Sequence, residues 1–268
     1  MSLLAVERLT VDVGDTRAVA DVSFAVAQGE RVGLIGESGS GKSMTALAVI
    51  GLLPDEARSS GRVDFDGRDM LSLQERERCR LRGDRIGMIF QEPMTALNPT
   101  MRVGRQVAEV LELHHRSGDV LELLRRVEFR DPERIAHAYP HQLSGGQRQR
   151  ILCAIATACS PALVLADEPT TALDVTVQAQ VLALLGRLVA EEGAALLLIS
   201  HDLAVVAGMC DRLLVMYRGE LVEQGPTRAV LDDPQHPYTK GLLATATALH
   251  AAPRGSVLPT VSDFVAVA

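Results

Sequence analysis

Gly36-Glu-Ser-Gly-Ser-Gly-Lys42-Ser43 follows a short apolar run, Arg31-Val-Gly-Leu-Ile35, and precedes a longer one carried by Met44, Ala46, Leu47, Val49, Ile50 and Leu53, with Pro54 as the expected stop. The spacing is G-x-x-x-x-G-K-[ST] between a strand and a helix, the context in which this pattern forms a phosphate-binding loop. Its glycines let backbone N–H groups wrap an anion, and the helix N-terminus adds partial positive charge. Gly36, Ser38, Gly39, Ser40, Gly41, Lys42 and Ser43 are therefore the expected phosphate contacts. Lys42 is expected to reach the β- and γ-phosphates, and the Ser43 hydroxyl to ligate Mg²⁺. A flexible loop matching by chance would lack the flanking strand and helix.

Around this loop the chain alternates between strand and helix patterns. Residues 4–24 carry β-like runs with turn signals at Gly14-Asp15 and then Gln28-Gly29, and residues 61–67 read as a strand with a turn. From about 70 to 160 the chain is charged and helix-rich, over residues 71–82, 103–115 and 120–127, which predicts a helical subdomain inserted between strands. Two strongly apolar strands follow, 162–166 and 194–200, separated by a helix over 175–190. Strand–helix–strand order predicts a parallel sheet buried on both faces, whose carboxyl ends are where α/β sheets bind ligands. The first of these strands runs straight into Asp167-Glu168. Asp167 is expected to hold Mg²⁺ through its water shell, and Glu168 to polarise an attacking water as general base. Taken alone, two carboxylates at a strand end read equally well as a helix-capping pair. The phosphate loop upstream favours chemistry.

Leu143-Ser-Gly-Gly-Gln147-Arg-Gln-Arg150 adds a second anion site. Ser144 with Gln147 three residues on makes a capping box, opening a helix through Ile151, Ala154 and Ile155. Ser144 and the N–H groups of Gly145 and Gly146 then face an anion at a helix N-terminus. Two phosphate sites so far apart in sequence are puzzling for a monomer. These residues resemble the LSGGQ signature of ATP-binding cassette proteins, and the resemblance covers nearly the whole chain, to about residue 242. It implies an ATP-hydrolysing subunit that pairs head to tail, so that Ser144, Gly145, Gly146 and Gln147 close on the ATP of the other subunit. The implied fold is an α/β P-loop NTPase, with a RecA-like parallel-sheet core, an N-terminal antiparallel β subdomain and an inserted α-helical subdomain. The implied nucleotide-binding domain spans residues 1–231, its helical subdomain about 91–160, with a short extension over 232–268.

Further residues take their roles from the same resemblance. Gln91, after a strand over 86–90, resembles the Q-loop glutamine that touches Mg²⁺ and signals to membrane subunits. Thr171-Ala-Leu-Asp174 resembles the D-loop that crosses the dimer interface, which brings Asp174 to the nucleotide, and His201 resembles the switch histidine that contacts the γ-phosphate. The implied catalytic set is Glu168, His201, Gln91 and Lys42, and the implied metal set Ser43, Gln91 and Asp167. One position departs from the pattern. Where the family offers an aromatic ring to adenine this chain has Val13, in Leu9-Thr-Val-Asp-Val13, which weakens stacking by up to about 1–3 kcal/mol.

Phe90-Gln-Glu-Pro-Met-Thr-Ala-Leu-Asn-Pro99 and Pro234-Gln-His-Pro-Tyr-Thr-Lys-Gly-Leu-Leu243 resemble the oligopeptide/dipeptide/nickel importer branch, and residues 44–54 the first of its two ATPase subunits. That implies import of di- or oligopeptides, with nickel or a metallophore as the alternative cargo. It also implies a second homologous ATPase, two permease subunits, an extracytoplasmic substrate-binding protein, and a peripheral place on the cytoplasmic face of the membrane. The last cysteine is Cys210, so the iron–sulfur cluster of some longer relatives is not expected.

Composition limits the rivals. At 47% hydrophobic and 23% charged the chain is an ordinary globular protein, and the net charge of −7 with 3% aromatics argues against a nucleic-acid partner. Cys79, Cys153, Cys159 and Cys210 form no CxxC pair, so free thiols packed as small hydrophobes are expected. No apolar run reaches the roughly 18 residues of a membrane span, and the opening, with Glu7 and Arg8, is not expected to be a secretion signal. A soluble cassette ATPase of translation or DNA repair would carry two cassettes or a long coiled coil. A cassette that binds without turnover is disfavoured by intact Glu168 and His201.

Overall fold

The computed structural model describes residues 2–91, 93–171 and 173–251. Glu92, Ala172 and residues 252–268, the end of the expected extension, lie outside these.

The chain opens with two long antiparallel strands, β1 (Ser2–Val13) and β2 (Thr16–Ala27), turned at Gly14-Asp15. A short strand, β3 (Arg31–Ile35), leads through the glycine-rich loop into α1 (Lys42–Ile50). Then come β4 (Ala57–Phe65), β5 (Arg68–Asp69), α2 (Glu75–Leu81) and β6 (Ile86–Ile89). Five helices follow without an intervening strand: α3 (Pro93–Ala96), α4 (Val103–Leu113), α5 (Val120–Arg126), α6 (Pro132–His137) and α7 (Gly145–Thr157). The chain returns to the sheet in β7 (Leu163–Asp167), α8 (Val175–Glu192), β8 (Ala195–Ile199) and α9 (Leu203–Met209). It closes with β9 (Arg212–Tyr217), β10 (Glu220–Pro226), α10 (Thr227–Asp232) and α11 (Pro237–Ala251).

These strands make two sheets, one antiparallel in the order β2-β1-β4-β5 and one of six strands in the order β10-β9-β3-β8-β7-β6. Within the larger sheet β6, β7, β8, β3 and β9 are all parallel, and only the edge strand β10 is antiparallel. Successive side chains of a strand point to opposite faces, and here both faces are buried. Val164, Ala166, Leu196, Leu198, Leu213 and Val215 pack under α4, α5, α7 and α8. Their neighbours Leu163, Leu165, Leu197, Ile199, Leu214 and Met216 pack against α1 and the antiparallel sheet. The sheet is thus the middle layer of three, which is why its strands read as unbroken apolar runs. Three of the four cysteines, Cys153, Cys159 and Cys210, are buried in the first of these cores, and Cys79 is exposed. No helix among the described residues is long and apolar enough to cross a membrane.

Boundaries shift where local caps intervene. The helix after the phosphate loop stops at Ile50, four residues before Pro54, because Gly51 takes a left-handed cap conformation. α2 starts at Glu75 rather than residue 71, where Gln74 and Glu77 form a capping box. Residues 212–226 form two strands that the sequence analysis does not anticipate.

Gly87 ties this sheet to α7. A Cβ there would lie 2.0 Å from the Ala156 carbonyl oxygen, an atom of helix backbone that cannot step aside. Gly87→Ala is expected to cost about 1–3 kcal/mol, seen as a lower urea midpoint. An unchanged midpoint would mean that α7 is not held against β6 this closely.

Candidate active site

The carboxyl ends of β3, β7 and β8 lie side by side, since Leu34 pairs with Ile199 and Asp167 pairs with Ile199 from the other flank. Each delivers one part of the site. After β3 the chain turns through Gly36 to Gly41, with residues 37–39 exposed at the tip and Ser40, Gly41 and Lys42 buried. Gly41 has φ 99°, and a Cβ on it would meet the Ala18 carbonyl oxygen at 2.4 Å, so no other residue fits. Lys42 opens α1, and its Nζ donates to the carbonyls of Gly36 (2.8 Å) and Glu37 (2.7 Å). Burial lowers the pKa of Lys42 against the opposing pull of Glu168, Asp167 and Glu37.

Asp167 is the last residue of β7 and 6% exposed. Burial raises its pKa, Ser43 opposes that by hydrogen bonding to the carboxylate, and neighbouring Glu168 adds to the rise. The Oδ1 atom is buried and has no hydrogen-bond partner. A buried oxyanion left unpaired beside a hydroxyl is the donor set a hard divalent cation takes, so these residues fit Mg²⁺.

Glu168 sits one residue beyond the strand. Its φ of 45° is left-handed, a strained conformation for a side chain of this kind. Its N–H continues the sheet ladder by donating to the Ile199 carbonyl at 2.9 Å. The carboxylate is held from three directions: Oε2 accepts from Gln91 Nε2 (3.1 Å) and Thr171 Oγ1 (2.8 Å), and Oε1 lies 3.1 Å from His201 Nδ1. Burial pushes the Glu168 carboxyl up, but the Thr171 and His201 contacts together with the Lys42 charge bring it below its ordinary value. His201 follows Ser200 at the end of β8 with its ring largely exposed, so that Glu168, Thr171, Ser200 and His201 line one cleft.

The structure therefore brings together Lys42, Ser43, Asp167, Glu168, Gln91 and His201. Ser144, Gly146 and Gln147 line a different cleft, with Arg130 and Arg150. The capping box is present: Gln147 N–H donates to Ser144 Oγ (3.3 Å), and Ser144 N–H donates to Gln147 Oε1 (3.0 Å). That leaves the N–H groups of Gly145 and Gly146, the first two of α7, facing out of the helix end. Gly146 has a packing role too, because a Cβ on it would lie 2.4 Å from Val177 Cγ1. The Asp174 carboxylate caps α8 by accepting from Val177 N–H at 3.0 Å. Val13, at the end of β1, is half-buried and packs as an aliphatic residue against the antiparallel-sheet core.

Two contacts of the site escape the sequence reading. Thr171 has a local signal, a hydroxyl three residues after the carboxylate it serves. Tyr238 has none, since its Oη accepts from Glu37 N–H at 2.8 Å across a separation of 201 positions.

Residues 19–171 match the ABC transporter family, and residues 222–262 match the oligopeptide/dipeptide transporter C-terminal region. This chain belongs to the ABC transporter family. It is 50% identical over 236 residues to the oligopeptide transport ATP-binding protein OppD of Salmonella typhimurium, covering 86% of this chain and 70% of that protein. It is 47% identical over 254 residues to the dipeptide transport ATP-binding protein DppD of Escherichia coli, covering 91% of this chain and 78% of that protein. Among solved structures, the dimeric post-hydrolysis state of the ATP-binding cassette MJ0796, bound to ADP and Pi, is similar with a TM-score of 0.74 at 30% identity. That match covers 84% of this chain and 99% of the cassette. The chain is thus an ABC ATPase with a nucleotide-binding cassette fold.

In this ABC cassette the lowered pKa of Glu168 has a fixed sign. Its contribution to stability is present above the ordinary glutamate range, about 4.3, and is lost as pH falls through its own lower value. Thr171→Val removes one of the contacts that lower it, so the Glu168 titration midpoint is expected to move upward. Carboxyl-carbon NMR reads this directly, and an unmoved midpoint would show that Thr171 does not hold the carboxylate in solution.

Proposed function

We propose that this chain drives the import of di- or oligopeptides, hydrolysing ATP as one half of a head-to-tail cassette dimer. Its place is peripheral, on the cytoplasmic face of the membrane, beneath two permease subunits fed by an extracytoplasmic binding protein. The nucleotide-binding unit reaches residue 231, with residues about 91–160 as its helical subdomain and 232–268 as a short extension. The observation that carries the chemistry is the Glu168 carboxylate held at once by Gln91, Thr171 and His201, beside buried Lys42 and Asp167.

Lys42 exchanges the Gly36 and Glu37 carbonyls for β- and γ-phosphate oxygens, while the N–H groups of residues 36–43 cradle the same phosphates. Ser43 and, through its water shell, Asp167 would hold Mg²⁺, with Gln91 within reach of it. When bound, Mg²⁺ neutralises charge developing on the phosphates. Glu168, kept ionised by its neighbours, takes the proton of the attacking water, and His201 holds the γ-phosphate side of the site. Ser144 and the Gly145 and Gly146 N–H groups serve the ATP of the second subunit, with Asp174 at the interface between them. That Ser144, Gly146 and Gln147 line a cleft other than that of Glu168 and His201 supports this. Adenine meets the aliphatic Val13 where stacking is usual. The exposed ring of Phe90, beside Gln91, supports a permease contact that feels the state of the site.

Peptide cargo is supported by the names of the relatives and by the match over residues 222–262, with nickel or a metallophore as the alternative cargo. Isolation from its native membrane in mild detergent is expected to recover two permeases and a second cassette ATPase. Recovery on ribosomes or DNA instead would overturn the transport reading. In the recovered complex, Glu168→Gln is expected to lower ATP turnover by about 100-fold or more while ATP still binds. Normal turnover in that variant would sink the assignment of Glu168 as the base.

A further inference from the structure

Glu37 is the second residue of the phosphate loop, and its backbone is gripped at both ends. Its carbonyl accepts from Lys42 Nζ at 2.7 Å, and its N–H donates to Tyr238 Oη at 2.8 Å. Tyr238 belongs to α11, outside the sheet and helices that build the site. It is fully buried, at 0% exposure, although the loop tip it touches lies open to solvent.

The position of that hydroxyl is fixed by a chain of contacts. The Tyr238 ring stacks on Tyr217 with centroids 4.2 Å apart and planes 27° apart. Tyr217 ends β9, the parallel neighbour of β3, and Val215 pairs with Ile35, so Tyr217 comes two residues further, level with the start of the phosphate loop. On the other side the Glu223 carboxylate of β10 accepts from the N–H groups of Gln235 (2.8 Å) and His236 (3.0 Å), pinning the turn before α11. The Tyr238 N–H donates to His236 Nδ1 at 3.2 Å. The hydroxyl is therefore a stationary acceptor. Burial pushes its pKa up to about 12, so it keeps its proton.

We infer that Tyr238 is a positioning residue of the nucleotide site: through its hydroxyl the C-terminal element fixes the Glu37 peptide, and with it the shape of the phosphate loop. The inference rests on ATP being the ligand of this loop. Its physical basis is preorganisation. An exposed loop must be ordered when phosphate binds, and a loop already held in shape loses less freedom at that moment. A phenylalanine would fill the same space and keep the stack, but it offers no acceptor to the Glu37 N–H.

The test is Tyr238→Phe in the full chain, with MgATP binding measured by calorimetry and backbone amide exchange measured by mass spectrometry. Loss of one such hydrogen bond is expected to weaken MgATP binding by about three- to tenfold. Exchange is expected to rise in the peptide carrying residues 36–43 and to stay the same in those carrying β7 and β8. Unchanged affinity with unchanged loop exchange would overturn the inference. Weaker binding accompanied by faster exchange throughout and a lower Tm would overturn it as well, by showing that Tyr238 only supports the fold. If the wild-type chain fails to bind MgATP, the proposed function falls, and the exchange of the 36–43 peptide alone then decides whether the Tyr238 hydroxyl orders the loop.

Discussion

The hydrogen bond from Glu168 N–H to the Ile199 carbonyl, 2.9 Å long, carries the register of the central sheet one step beyond its last strand residue. It holds Glu168 in a left-handed conformation that turns the chain back over the strand ends. The carboxylate then meets Gln91 from the end of β6, Thr171 from its own turn and His201 from the end of β8. A residue held at positive φ costs on the order of 1–3 kcal/mol, and it persists only where its surroundings fix it. Here the ladder bond and the three side-chain contacts do so.

That bond exists because the sheet is parallel and covered on both faces. Parallel strands present all their carboxyl ends on one edge, so one edge gathers the phosphate loop, the acid pair and the histidine. Burial of the strands also sets the electrostatics of that edge. Lys42 and Asp167 are each pushed toward neutrality by burial and each pulled back by the other. Neither has full compensation within the protein, and Asp167 keeps a buried oxygen with no partner. Under the proposed function, triphosphate would offset the charge of Lys42 and a divalent cation would take the unpaired oxygen of Asp167.

Much of this was legible in the chain itself. The phosphate loop, the acid pair and the capping box at Ser144 are local patterns: each needs only a few consecutive residues, and the structure forms the strand–loop–helix, the strand end and the capped helix that they predict. β10 was not legible, because none of its residues is fully buried and its pattern does not alternate cleanly, whereas β9 does carry an apolar run from Leu213 to Met216. Helix ends moved by up to four residues wherever a cap such as Gly51 or Gln74 overrode the apolar pattern. The part played by Thr171 required seeing the turn that brings its hydroxyl back to Glu168, and the contact of Tyr238 with Glu37 required the whole fold.

The sequence alone thus determined the chemistry and the type of layer, since motif spacing and runs of buried residues are properties of neighbours along the chain. Tertiary structure decided which groups meet. Gln91, Glu168 and His201 lie on three different strand ends, and only the strand order, set by which apolar faces can be covered together, places them within hydrogen-bond reach. The same packing gives Ser144 a cleft other than that of Glu168 and brings α11 to the phosphate loop, where Tyr238, buried against Tyr217, meets the Glu37 N–H with its hydroxyl.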